Sequence, residues 1–153
     1  AGVREGRRIE WPDGSAAMTP LSEVLEKDAP PRFYASERIR NKRLERARND
    51  SAEPTIWHEN KSGNVSVHPF SCALRAGASY NYLLVNGERR LTPREMLRLQ
   101  GFPEIFKIVC GDSQTRRQAG NSLPVNVAEA VAESVFDALG WGGEEPVAAA
   151  ELT

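Results

Sequence analysis

The chain has 153 residues, of which 40% are hydrophobic and 27% charged, and its formal net charge at pH 7 is −1. These values are ordinary for a soluble globular protein of one domain or little more, and they exclude a global basic field that would attract nucleic acid. No apolar run approaches the roughly 18 residues of a membrane-spanning helix, and no signal-peptide pattern is visible, so we expect no membrane partner.

Cysteine and histidine are scarce in this sequence. Cys72 and Cys110 are too few for a disulfide framework or a metal cluster, which favours a reducing, cytoplasmic setting. His58 and His68 have no Cys or His at ligand spacing, so we predict no metal site. Because the chain begins with Ala1 rather than Met, we expect a longer gene product.

A short helix is predicted near the N-terminus. Thr19 can act as its N-cap, and Pro20 suits the first helical position. The apolar side chains up to Leu25 would be buried, and the prolines at positions 30 and 31 end the element.

A second predicted helix, residues 36–49, is strongly basic. Between positions 32 and 48 there are seven Arg or Lys residues against two Glu. Such a charge run allows two interpretations, a solvated face or a surface that follows DNA phosphates. The second interpretation makes Arg38, Lys42 and Arg46 candidate DNA-binding residues.

The middle of the chain favours β-structure. Runs at 55–58, 65–68 and 80–85 are rich in β-branched and aromatic residues, and Gly-containing turn signals, Asn86-Gly87 among them, lie between or directly after them. We therefore predict a small twisted sheet with exposed loops.

Residues 89–104 predict a helix with both ends marked. Thr92 is a suitable N-cap, and Glu95 can complete a capping box by accepting a hydrogen bond from the Thr92 amide. Gly101 follows the last periodic residue, and Pro103 prevents the helix from resuming.

The last predicted helix follows the sequence Gly120-Asn121-Ser122 and runs from Leu123 to Leu139. Ser122 would cap it, and Gly120 permits a close backbone approach. The free amides and the macrodipole at such a helix N-terminus predict a site for a carboxylate or phosphate. One face of the helix is apolar, with Val127, Val131, Val135 and Leu139.

Two of these segments, 89–104 and 118–125, resemble motifs IX and X of the cytosine-5 DNA methyltransferases. The resemblance extends from about Ser62 to Leu139, with a weaker match to the end of motif VIII from Gly2. It implies an α+β fold: a small mixed sheet with loops, the target-recognition domain, plus flanking helices. The long C-terminal helix would pack on a Rossmann-like catalytic domain that this sequence lacks.

The resemblance also implies a division of the chain into four parts. Residues 1–31 would be the tail of the catalytic domain and a linker, and 32–119 the target-recognition domain with motif IX. Residues 120–140 would form the motif X helix, and 141–153 a flexible tail.

Residue roles follow from the same resemblance. Asn121 and Ser122 would complete a site for S-adenosyl-L-methionine, while Arg94 and Glu95 would brace the recognition domain. Gly101 and Gly120 are structural members of the two motifs. The implied DNA-binding loops contain Ser62, Gly63, Ala73, Leu74 and Arg75. Ala73 stands where the family commonly has Thr, so a hydroxyl contact to a phosphate is in question there.

No catalytic residue is assigned, because the family's Phe-x-Gly-x-Gly, Pro-Cys and Glu-Asn-Val motifs do not occur in this sequence. We interpret the chain as the C-terminal segment or small subunit of a DNA (cytosine-5-)-methyltransferase from a bacterial restriction-modification system. It would be inactive alone and associated with the nucleoid, with double-stranded DNA and the catalytic half as partners. Two alternatives stay open: a stand-alone DNA-binding or regulatory module, and part of a related transfer-RNA methylase. No motif states which bases are recognised.

Overall fold

The computed structural model describes residues 8–48, 50–78 and 82–141. Residues 18–124 form one compact unit, and the described residues 8–17 and 125–141 belong to a second. Most of the predicted flexible tail, residues 142–153, lies outside the described residues, as does the start of the segment compared with motif VIII.

Unit 18–124 contains four helices and four strands among its described residues. The helices are α1 (Leu21–Val24), α2 (Glu37–Leu44), α3 (Pro93–Leu99) and α4 (Asp112–Asn121), with a 3₁₀ turn at Pro31–Phe33. The strands are β1 (Ile56–Glu59), β2 (Val65–His68), β3 (Leu83–Val85) and β4 (Arg89–Arg90). Helix α5 (Val125–Leu139) belongs to the second unit. No helix among the described residues is long and apolar enough to cross a lipid bilayer.

The predicted α+β class is confirmed, and the strands form one sheet in the order β2-β1-β3-β4. The sheet was expected to be mixed, but all three strand pairs in its described part are antiparallel. Short turns join β1 to β2 and β3 to β4, and a turn of that length can join only antiparallel neighbours. The long connection from β2 returns the chain to the other side of β1.

The β3–β4 turn explains why an Asn-Gly pair follows the third strand. Asn86 and Gly87 have φ angles of 51° and 72°, as a type I′ hairpin turn requires. The Asn86 side-chain oxygen accepts a hydrogen bond from the Thr55 amide at 2.9 Å. A Cβ atom on Gly87 would lie 2.7 Å from the fully buried Trp57 ring, so the turn packs closely on β1.

Helix α3 has the predicted caps at both ends. The Glu95 amide donates to the Thr92 hydroxyl at 3.2 Å, and the Thr92 amide donates to the Glu95 carboxylate at 2.7 Å. At the C-terminus Gly101 has a φ of 77°, and the amides of Gly101 and Phe102 donate to the carbonyls of Arg98 and Leu97. This pairing is a Schellman motif.

The hydrophobic core lies between the sheet and the helices α1, α3 and α4. It is built from nine buried residues: Leu21, Ile56, Tyr82, Leu83, Val85, Leu91, Met96, Leu97 and Ala119. The partly buried side chains of Leu74, Leu99 and Phe102 pack against it. The unit therefore has an interior of its own.

Three differences from the sequence predictions concern α1, α2 and α4. Helix α1 begins at Leu21 with Pro20 as its N-cap, so Thr19 does not cap it. Helix α2 ends at Leu44, before the predicted Asn49. The third and largest difference is that residues 112–121 form a helix, α4, which was not predicted.

The existence of α4 changes the assignment of the second motif. Gly120 and Asn121 lie in the last turn of α4, and Ser122 is its C-cap rather than the N-cap of the next helix. Pro124 explains the break, because a proline disfavours helical geometry in the residue before it and offers no amide to continue the helix. Helix α5 then begins at Val125.

A buried ion pair joins β4 to α3. The Arg89 guanidinium donates to both oxygens of Glu95, at 2.7 and 2.9 Å, and the Glu95 side chain is fully buried. Glu95 also accepts hydrogen bonds from the amides of Thr92, at 2.7 Å, and Glu26, at 2.8 Å. Burial alone would lower the pKa of Arg89, but its hydrogen bonds to Glu95 raise the pKa above the ordinary value.

We predict that Glu95→Ala lowers the free energy of unfolding by about 3–5 kcal/mol, because it leaves the Arg89 charge buried without its partner. Urea denaturation of the chain measures the change. Glu88→Ala is the matched control, since Glu88 is exposed in the adjacent turn, and it should change stability by no more than about 0.5 kcal/mol. Similar losses in the two variants would contradict the role assigned to Glu95.

Candidate nucleic-acid interface

Helix α2 presents a basic stripe beside the β1–β2 turn. Arg38, Lys42 and Arg46 are exposed and follow one another at intervals of four residues, so they share one side of the helical segment. An Arg46 Nη atom donates to the carbonyl oxygen of Gly63 at 3.0 Å. The stripe is therefore continuous with the turn that contains Ser62 and Gly63.

Helix α2 is not simply solvated, because Arg43, which lies beside the basic stripe and lines one pocket with its three residues, is buried. Arg43 is only 4% exposed, and its guanidinium contacts the Glu59 carboxylate at 3.2 Å. It also donates to the Gly87 carbonyl at 3.2 Å. A single arginine thus holds α2 against the end of β1 and the β3–β4 turn, which fixes the direction of the basic stripe.

The β1–β2 turn is shaped by its own side chains. The Asn60 side-chain oxygen accepts hydrogen bonds from the amides of Ser62 and Asn64, both at 2.9 Å. Gly63 has a φ of 77°, a conformation that favours glycine. The turn therefore holds the exposed Ser62 in a defined position.

The second predicted DNA-binding loop has a half-buried residue between two exposed ones. Leu74 packs against the core, while Ala73 and Arg75 are exposed. The Arg75 amide donates to the Tyr82 hydroxyl at 2.8 Å, and the Arg75 guanidinium lies 5.2 Å from the Tyr82 ring centroid. Burial raises the pKa of Tyr82 above its ordinary value.

Gly120 brings the end of α4 against this loop. A Cβ atom at position 120 would lie 2.4 Å from the Ala76 amide nitrogen and 2.7 Å from the Arg75 carbonyl carbon. The sequence prediction of a close backbone approach at Gly120 is confirmed, and its partner is the loop 73–76.

The two motifs are also joined directly. Gln100, at the end of α3, is buried and donates to the Ala119 carbonyl at 2.6 Å and to the Ser122 carbonyl at 3.3 Å. The Ser122 hydroxyl donates to the Ala119 carbonyl at 2.8 Å. Gln100 thus holds the turn that contains Asn121.

The structure contradicts the helix start at Leu123, capped by Ser122, on which the predicted anion site at Gly120-Asn121-Ser122 was based. These residues lie at the C-terminal end of α4, where carbonyl oxygens and the negative end of the macrodipole are found. The exposed Asn121 side-chain amide can still donate and accept hydrogen bonds, but α4 does not supply a positive field at its C-terminal end.

The remaining motif residue, Arg94, contacts the segment after α3. The Arg94 Nη2 atom donates to the Phe106 carbonyl at 2.8 Å. Arg94 supplies none of the hydrogen bonds to Glu95 described above. Its neighbour on α3, Arg98, pairs with Glu104 at 2.6 Å, which lowers the pKa of that carboxyl.

The structure thus gathers the predicted DNA-binding residues into two groups. One is the α2 stripe with the Ser62-Gly63 turn, and the other is the loop 73–75 against Gly120. Sequence reasoning missed the residues that hold these groups, namely Arg43, Tyr82, Arg89 and Gln100. Of these four residues, only Gln100 could have been found from the sequence, because it stands at the C-terminal end of a helix whose caps the sequence predicts.

Comparison with solved structures identifies the fold. A methyltransferase of Entamoeba histolytica, EhMeth, superposes with a TM-score of 0.52 at 17% sequence identity, covering 88% of this chain and 45% of that one. The chain therefore has the fold of part of a methyltransferase.

Sequence comparison identifies the family. Residues 15–137 match the model of the C-5 cytosine-specific DNA methylases. The Type II methyltransferase M.HaeII of Haemophilus aegyptius is 45% identical over 99% of this chain and 48% of its own length. M.NgoBI of Neisseria gonorrhoeae is 53% identical over 78% of this chain and 38% of its own. The chain belongs to the C-5 cytosine-specific DNA methylase family, and it spans about half or less of the length of these relatives.

We predict that Gly120→Ala destabilises the chain, although alanine is the better helix former. The new methyl group would meet the backbone of loop 73–76, and forcing such a contact costs about 1–3 kcal/mol. Gly77→Ala is the control, because it adds a methyl group to the same loop with no atom within 4 Å. Thermal unfolding distinguishes them, and a Gly120→Ala chain as stable as the parent would contradict the close contact.

Proposed function

We propose that this chain is the C-terminal segment or small subunit of a Type II DNA (cytosine-5-)-methyltransferase. In this proposal it recognises the DNA target and completes the S-adenosyl-L-methionine site, while a separate catalytic half supplies the chemistry. The observation that carries the proposal is the combination of family membership with the absence from this sequence of a Pro-Cys nucleophile motif. Attack on cytosine by enzymes of this chemistry needs a nucleophile of that kind.

The apolar face of α5 supports a catalytic-half partner. No residue of this helix is buried, and Val127 and Leu139 are about half exposed, at 53% and 46%. Val131 and Val135 lie between them on the same face. An exposed apolar stripe of this kind is typical of an interaction site.

Unit 18–124 also exposes apolar side chains, in the segment between α3 and α4. Ile105 is 84% exposed and Val109 is 90% exposed. The segment is held in place by the Arg94 hydrogen bond to the Phe106 carbonyl and by packing of the Phe106 ring on Phe102, with centroids 4.9 Å apart. Large apolar groups on a fixed segment are suited to contact with another protein surface.

We predict that the chain alone transfers no methyl group to unmethylated DNA. Incorporation should appear when the part of M.HaeII that this chain does not match is added as a separate polypeptide, provided that it carries the Pro-Cys and Glu-Asn-Val motifs. A radiolabelled methyl donor measures the transfer.

Two variants of α5 make this experiment specific. Val131→Asp should abolish the restored activity, because it buries an unpaired charge in the contact. Asn126→Asp adds the same charge at an exposed position and should leave activity intact. Transfer by the chain alone, or full activity of the Val131→Asp mixture, would refute the split arrangement.

The DNA-binding part of the proposal is supported by the position of the α2 stripe. Arg43 fixes the helix so that Arg38 and Lys42 face outward beside the Ser62-Gly63 turn. Because the net charge of the chain is −1, phosphate contacts must come from such local patches.

We predict that replacing both Arg38 and Lys42 with Gln makes the negative slope of log affinity against log salt concentration shallower by about two. Each lost phosphate contact accounts for roughly one. Fluorescence anisotropy with a labelled duplex measures the slope. The control replaces Lys27 and Lys107, two exposed lysines outside α2, with Gln and should leave the slope unchanged. Equal slopes for the parent and the α2 variant would make the stripe a solvated face.

The cofactor role concerns Asn121 and Ser122. S-adenosyl-L-methionine supplies the methyl group in this chemistry, and its polar groups need hydrogen-bond partners from the protein. The Asn121 side chain is exposed and offers both a donor and an acceptor, on a turn held by Gln100. The Ser122 hydroxyl donates to Ala119 and so offers an acceptor oxygen. These two residues fit a contributing role, with the rest of the site on the catalytic half.

A further inference from the structure

The loop segment 73–78, which lies against Gly120, carries a single polar side chain. The other five positions of the segment are Ala73, Leu74, Ala76, Gly77 and Ala78. None of these five has a side chain that can donate or accept a hydrogen bond. Any side-chain hydrogen bond from this segment to DNA must therefore come from Arg75.

The protein fixes the backbone of Arg75 on several sides. Its amide donates to the Tyr82 hydroxyl at 2.8 Å, and its carbonyl accepts from the Ala78 amide at 3.2 Å. The preceding residue, Leu74, packs against the core. On the other side, a Cβ atom at Gly120 would lie 2.7 Å from the Arg75 carbonyl carbon. The loop thus presents the Arg75 side chain from a fixed position.

The Arg75 guanidinium is also oriented, although Arg75 is exposed. Its carbon lies 5.2 Å from the centroid of the Tyr82 ring, within cation–π range. Tyr82 is buried and makes an edge contact with the His58 ring. No salt bridge joins Arg75 to another residue in the part of the chain that the structure describes. A guanidinium that is already ordered loses less entropy when it binds.

We propose that Arg75 is a specificity-determining residue that reads a guanine in the major groove, an inference that rests on the proposed recognition of DNA by this chain. A guanidinium has donors and no acceptor, so it pairs best with a base edge that offers two adjacent acceptors. In the major groove guanine presents N7 and O6, whereas adenine adds a donor to its one acceptor and cytosine presents a donor.

The size of the neighbouring side chains supports entry into the groove. The major groove is about 12 Å wide, and a contact to a base edge must reach its floor. Ala73 and Ala76 on either side of the Leu74-Arg75 pair are small, and a Cβ atom on Gly77 would meet no atom within 4 Å. The arginine is therefore the part of segment 73–78 that extends farthest from the backbone into the surroundings.

The basic stripe of α2 has the opposite character. Arg38, Lys42 and Arg46 repeat at intervals of four residues along a helix, which suits successive phosphates. Phosphate contacts position a protein on the duplex, and base contacts specify the sequence. The two groups of candidate DNA-binding residues thus have different tasks, with Arg75 as a base-reading residue.

The test is the selection of duplexes from a random pool by the whole chain, followed by sequencing of the bound duplexes. The parent should enrich a site that contains a preferred G·C pair. Arg75→Ala should lose the preference at one such pair, by roughly 5- to 150-fold, which is the discrimination that a bidentate pair provides. The preferences at the other positions should remain.

A base analogue tests the contact itself. 7-Deazaguanine replaces the N7 acceptor of guanine with a C–H group and keeps the base pairing. At the position identified by the selection, it should weaken binding of the parent and leave the affinity of Arg75→Ala unchanged. Equal weakening of both chains would place the lost contact on another residue and overturn the proposal.

Arg38→Ala is the matched control, because it removes the same side chain from the α2 stripe. It should weaken all duplexes about equally and make the salt slope shallower, with the sequence preference of the parent retained. An Arg75→Ala chain that behaves in this same way would make Arg75 a phosphate contact and overturn the proposal. A parent chain that enriches no duplex would overturn the proposed DNA recognition as well, so the two failures are distinguishable.

Discussion

The interaction on which the fold most depends is the buried carboxylate of Glu95. A charged group without water is costly unless its hydrogen bonds are made, and here Arg89, Thr92 and Glu26 supply four of them. Glu26 follows α1, Arg89 lies in β4 and Thr92 caps α3. One carboxylate therefore fixes the relative positions of three segments that are up to 69 residues apart in sequence.

From this carboxylate a continuous series of contacts leads to the candidate interface. Glu95 orients α3, and Gln100 at the end of α3 holds the last turn of α4. Gly120 in that turn then lies against the backbone of Arg75 and Ala76. The two sequence motifs are thus parts of one packed arrangement, and its outer end is the loop that we propose to contact DNA. A substitution of Glu95 would therefore affect the position of that loop through these packing contacts.

How much the sequence could predict depends on whether the deciding signal was local. The caps of α3 and the Asn86-Gly87 turn depend on neighbouring residues, and each was visible in the sequence. Helix α4 was missed because Gly120 and Asn121 suggest a helix boundary, whereas packing against loop 73–76 keeps them helical. Arg43 was hidden within a charge run, since its partners Glu59 and Gly87 lie 16 and 44 residues further on. Long-range pairing of this kind leaves no periodic pattern in the sequence.

The two units differ in how completely they bury their own apolar side chains. Residues 18–124 enclose a core with Trp57 and Ile56 fully buried, although Ile105 and Val109 are largely exposed on the segment after α3. Helix α5 has a continuous apolar face and no buried residue. Burying a Val or Leu side chain fully is worth about 1.5–3 kcal/mol, so leaving such a face in water forfeits a substantial part of the marginal stability of a domain. This contrast favours a chain in which unit 18–124 folds on its own core while α5 depends on a further surface. The chain spans half or less of the length of M.HaeII and M.NgoBI. This is consistent with a surface for α5 in the part of these relatives that the chain does not match.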